Sequence, residues 1–144
     1  MAKAIKIDLK ELKQFSKQLE ELQKEIDDIC MALTKEIAGR LLSKVIKRTP
    51  VGVYKERVGG TLRRGWSVKE VVKEGNNYIV EVFNPVEYAS YVEYGHRTQN
   101  HKSWVQGRFM LTISIKEINE NLESIINKKL KAIFKEKLGW LMEL

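Results

Sequence analysis

The chain has 144 residues, 43% of them hydrophobic and 31% charged. This composition excludes a disordered or fibrous protein and leads us to expect a single domain, residues 1–144, able to bury a core without disulfide or metal staples. No run approaches the ~20 apolar residues of a membrane span. The opening MAKAIKIDLKEL lacks the apolar stretch of a secretory signal, and one cysteine, Cys30, allows no internal disulfide, so the expected setting is a reducing cytoplasm. Twenty-six basic against nineteen acidic residues leave a net charge of +7, which favours a polyanion or an acidic protein surface as neighbour.

From Asp8 to Lys47, apolar residues recur every three or four positions, from Leu9, Leu12 and Phe15 to Leu41 and Val45. This spacing predicts a helix over 8–47, opened by an Asp8–Glu11 capping pair and stopped before Pro50. Forty helical residues would span about 60 Å, longer than the body of a domain this size. The helix therefore either projects and packs on another subunit or breaks, at Asp27-Asp28 or Gly39. Residues 51–64 hold three glycines and no helical period and read as a mobile loop. A hairpin is predicted over 65–83, beginning at Trp66 and turning at Glu74–Asn77. A short helix over 85–94 follows, with Asn84 as its cap, Pro85 at its first position, Glu87 as capping partner and Gly95 as its left-handed stop. Tyr88 and Tyr91 are assigned to packing against the sheet, and Glu93, Tyr94 and His96 to the exposed end, where they are expected to form the subunit interface. Residues 96–107 look polar and irregular, and a last helix is predicted over 108–141. The fold class expected is α+β.

Chemistry is scarce. His96 and His101 stand five apart near Glu93 and match no metal-ligand spacing. Cys30, beside Ile29 on the apolar side of its helix, reads as core packing. No carboxylate pair, nucleophile–base arrangement or phosphate-cradling loop is present. No catalytic residue, metal or cofactor is expected. The charge excess is spread as +3, +3 and +1 over residues 1–50, 51–108 and 109–144, which argues against a free DNA-binding protein, the alternative reading. Arg57, Arg63 and Arg64, set around Gly59 and Gly60, either lie along a phosphate backbone or a partner or form a solvated loop. The tyrosines of 88–94 suit both a core and a subunit contact.

Four stretches carry a family resemblance: RTPV at 48–51, GTLRRGW at 60–66, NPVEYASYVEYGHRT at 84–98 and VQGRFML at 105–111. In this order, between two long helices, they resemble the phage morphogenesis family typified by gene product ten of a lambdoid coliphage. These are head–tail joining or tail-completion proteins of tailed phages, prophages and phage-tail-like particles. Members often carry proline where this chain has Gln106. The resemblance implies a structural, non-enzymatic subunit of the neck or tail top. It implies a homo-oligomeric ring, six-fold as such tails are, touching neighbouring neck and tail proteins and DNA in the channel. It also implies assembly in the host cytoplasm and residence in the virion or tail-like particle, with no membrane.

Overall fold

The computed structural model describes residues 9–139. Two antiparallel helices form its frame. The predicted first helix is in two pieces, α1 (Lys10–Lys24) and α2 (Ile26–Arg48), separated at Glu25 rather than at Asp27-Asp28 or Gly39. The Glu25 amide still bonds back to the Glu21 and Leu22 carbonyls, so the interruption is a single tightened turn. Asp8 of the expected capping pair lies outside the described residues. Thr49, extended at ψ 125° before Pro50, ends α2 as the steric conflict with proline requires. The last helix, α5 (Met110–Lys137), starts two residues later than expected, because Phe109 before it sits in the left-handed region at φ 48°.

Ion pairs join these helices along their length. Glu117 on α5 receives Lys44 at 3.0 Å and Arg48 at 2.5 Å. Glu36 receives Arg40 and Lys129, each at 3.2 Å, and Glu25 receives Lys137 at 2.9 Å. Beneath them the buried Ser114 hydroxyl donates to the Met110 carbonyl and accepts from Arg48.

Between the helices, α3 (Thr61–Arg64) is followed by the predicted hairpin, and the fold is α+β. The hairpin forms two short ladders: β1 (Ser67–Val68) with β4 (Val82–Phe83), and β2 (Val72–Glu74) with β3 (Asn77–Ile79). Val68 faces Val82 and Val72 faces Ile79. Residues 69–71 therefore oppose only 80–81, a bulge that splits the ladder. Gly75, at φ 59°, takes the first turn position, where a two-residue hairpin favours glycine. Asp27 anchors the outer ladder to α2, accepting from Lys73 at 2.8 Å and from the Tyr78 hydroxyl. Cys30 is half-buried rather than part of the core.

The core is Val45 of α2, Leu62 of α3, Trp66 and Met110 of α5, with Leu42, Val82, Val86 and Val92 packed around it. Its polar centre is Thr49, which is fully buried. The Thr49 hydroxyl donates to the Val45 carbonyl at 2.6 Å and accepts from the Trp66 indole at 2.7 Å. Its carbonyl accepts both Nε (3.0 Å) and an Nη (2.7 Å) of Arg63. One residue thus fixes the exit from α2, the tryptophan and α3.

Thr49→Val removes the indole's partner without changing side-chain shape. A buried donor left unsatisfied costs about 1–3 kcal/mol, to be read by urea unfolding followed through tryptophan fluorescence. Bonds from Lys44 and then Arg48 hold the Glu117 carboxyl below its usual range, and those from Lys73 and Tyr78 do the same for Asp27. A carboxylate depressed by folding stabilises above its unfolded pKa and loses that contribution as pH falls through the folded value. Stability should therefore hold above about pH 4.5 and decline below it, and Glu117→Gln should flatten part of that decline.

Candidate functional site

The short helix α4 (Ala89–Tyr94) begins four residues later than expected. The Asn84 side chain accepts from the Val86 amide and donates to the Leu62 carbonyl. It thus builds a local turn and tethers it to α3, while Pro85 and Glu87 precede the helix. This shift decides which face is buried. Ala89 and Val92 pack on the core, and Glu93, one position on, is buried at 6% exposure. Tyr88, Tyr91 and Tyr94, three apart, fall on the other side at 45%, 60% and 63% exposure. The assignment of Tyr88 and Tyr91 to the sheet is corrected: with the inner face taken by small and branched residues, all three rings face outward.

Glu93 is also not at an exposed end. Its carboxylate accepts the Leu111 amide at 3.0 Å, the Thr112 amide at 2.9 Å and the Thr112 hydroxyl at 2.7 Å. Phe109 cannot cap α5 with its own side chain, so a carboxylate from α4 meets the free amides and the positive dipole end of that helix. The backbone joins in: Arg108 donates to the Val92 carbonyl and Phe109 to that of Glu93.

Residues 96–107, expected to be irregular, instead contribute to a hairpin. β5 (Gly95–Arg97) pairs antiparallel with β6 (Trp104–Gln106), His96 facing Val105. The alternating signal is too short and too polar to be seen in the sequence. Gly95 has φ 86°, and a Cβ there would lie 2.4 Å from the Val105 carbonyl oxygen, so no other residue fits. The hairpin leaves Trp104 exposed, at 57%, and His96 meets the Tyr91 ring edge-on at 6.1 Å. Tyr91, its neighbour Tyr94 and His96 make an exposed aromatic patch with polar tips, while Trp104, paired with Arg97, lies on the opposite face of the β5–β6 ladder from His96. Among the described residues no three His, Cys, Asp or Glu side chains converge as metal ligands would.

The three arginines separate in role. Arg63 is held in the fold by Thr49, and Arg64 reaches the Gly59 carbonyl at 3.0 Å. Both belong to α3 rather than to a loop. Arg57 is exposed, 4.0 Å over the ring of Tyr54. Residues 51–60 leave Val53 at 97% and Val58 at 84% exposure. With α3 and α4 they border a groove of about 650 Å³ lined by Tyr54, Arg57, Tyr88 and Arg108.

Glu93→Ala should destabilise the isolated protein by about 2–3 kcal/mol, since charge-assisted bonds to buried amides are lost, whereas Tyr91→Ala should cost less than about 1 kcal/mol. Arg63→Ala should cost about 1–2 kcal/mol, and Arg57→Ala or Arg64→Ala no more than about 0.5. Thermal unfolding of the five variants gives the ranking.

Among the described residues no helix is long and apolar enough to cross a membrane. Comparison with curated proteins and with solved structures gives no match. A family model described as "Bacteriophage HK97-gp10, putative tail-component" matches residues 13–95. These residues run from α1 through the hairpin, the arginines and α4 to Gly95, more than half of the chain. On that match the chain belongs to the HK97-gp10-like family of phage tail components.

Proposed function

We propose that this tail component is a non-enzymatic, single-domain subunit of a homo-oligomeric ring, six-fold in the assembled particle, at the head–tail junction or the top of the tail. It would assemble in the host cytoplasm and contact neighbouring neck and tail proteins. The observation that carries this reading is the exposure of Tyr91 and Tyr94 on α4 and of Trp104 on β6, each more than half exposed. Amphipathic rings of this kind are what subunit contacts use. In this reading Tyr94 and His96 serve the interface, whereas Glu93 acts from inside, by holding the start of α5 against α4. The 51–60 segment, with Val53, Val58 and Arg57, supplies a second contact, to a neighbouring protein or to DNA in the channel.

Replacing Tyr94 and Trp104 together with alanine should leave the melting temperature within a few degrees while abolishing incorporation into particles. Electron microscopy of wild-type particles should show a ring of this chain at the tail top. Density for the chain elsewhere, or in no ring, would overturn the proposal.

A further inference from the structure

Two surfaces outside the aromatic patch complement each other. On α1 and the start of α2, Leu12, Leu19 and Ile26 recur every seven residues, at 61%, 42% and 52% exposure. They form one open stripe along about 21 Å of helix. Residues 20–28 around its lower half hold five acids, Glu20, Glu21, Glu25, Asp27 and Asp28, against the single Lys24, a local charge of −4. Glu25 and Asp27 are engaged by Lys137 and Lys73, and Glu20, directly after Leu19, with Glu21 and Asp28 supplies the negative charge that borders the stripe.

The second surface is a groove of about 530 Å³ between α2 and α5. Arg40, Lys44, Lys47, Lys128 and Lys129 line it; Glu36 pairs with Arg40 and Lys129 and Glu117 with Lys44, which leaves Lys47 and Lys128 outside these ion pairs. Its floor is apolar, with Ile118 buried and Ile125 half-buried. Its α5 wall, from Glu117 to Lys129, runs about 18 Å, close to the length of the stripe. Ile26 and Lys44 lie about 27 Å apart along the helix, so the acidic stripe cannot fold back onto its own groove.

We propose that the stripe of α1, with its acidic block, seats in the basic α2–α5 groove of the next copy of this chain. Apolar side chains would enter the groove between its cations and the acids would meet those cations, the helix-in-groove mode of recognition. The two halves of the contact are different surfaces, so it is head-to-tail, and such a contact closes into a ring when its rotation allows. The inference rests on the ring reading above and names the contact that builds the ring.

The test is sedimentation of the purified full chain at low salt, from micromolar to about millimolar concentration. The wild type should self-associate, less so as salt rises. A block variant (Glu20→Lys, Glu21→Lys, Asp28→Lys) and a groove variant with neutral replacements (Lys47→Ala, Lys128→Ala), both with native circular dichroism, should each remain monomeric. Mixed in equal amounts, they retain one intact block and one intact groove between them, and should form a one-to-one dimer and nothing larger. A wild type that stays monomeric throughout, variants that assemble like it, or a mixture that fails to pair would each overturn the contact. So would a groove variant that loses retention of duplex DNA but self-associates normally, which would make the groove a nucleic-acid surface. Rings seen in particles carrying both sets of substitutions would remove this contact and leave the ring reading standing, whereas wild-type particles without a ring would remove that reading itself.

Discussion

The carboxylate of Glu93 determines much of what the molecule presents to its surroundings. It spans the step from a six-residue helix, too short to be stable alone, to the first turn of the longest helix in the chain. In doing so it satisfies amides at a helix end whose preceding residue, Phe109, offers no acceptor. A buried negative charge is tolerated because it meets two amide donors and a hydroxyl at a positive helix end. With α4 pinned this way, its tyrosines face outward, the Gly95 turn follows without slack, and β5 brings His96 against Tyr91.

Thr49 plays the matching part at the other end of the core. Its hydroxyl and carbonyl together take bonds from the tryptophan and from an arginine, and return one to the helix it terminates. The two polar centres, one at the end of α2 and one at the start of α5, flank the apolar cluster of Val45, Leu62, Trp66 and Met110. Buried polar groups of this kind contribute little net energy when satisfied, but they penalise every arrangement that leaves them unpaired. They therefore specify how helices and hairpins dock in a protein with a small core.

The charge excess now has a spatial meaning that its distribution along the chain obscured. Positive groups from α2 and α5, distant in sequence, converge along one helix–helix groove, while the acids gather near the α1–α2 junction. Several of the cations are neutralised by Glu36 and Glu117, so the polarity between the two ends matters more than the total charge. Opposed, separate charges favour ordered head-to-tail association over indiscriminate binding.

The amino-acid sequence alone was sufficient for the α+β class, the two long helices, the hairpin around Gly75 and the positive φ at Gly95, because helical period, turn chemistry and glycine geometry are local. The family resemblance likewise rested on contiguous stretches. It could not decide the faces of α4. Asn84, Pro85 and Glu87 form a sound capping pattern, yet Asn84 is drawn into a bond with the Leu62 carbonyl and the helix starts later, reversing which residues are buried. Nor could a charged residue among three tyrosines be recognised as the cap of a helix beginning seventeen residues on. Arg63 looked like its neighbours Arg57 and Arg64 until the Thr49 carbonyl came within reach. These are decisions made by partners far apart in the chain, where a hydrogen bond satisfied in the interior outweighs what local propensity prefers.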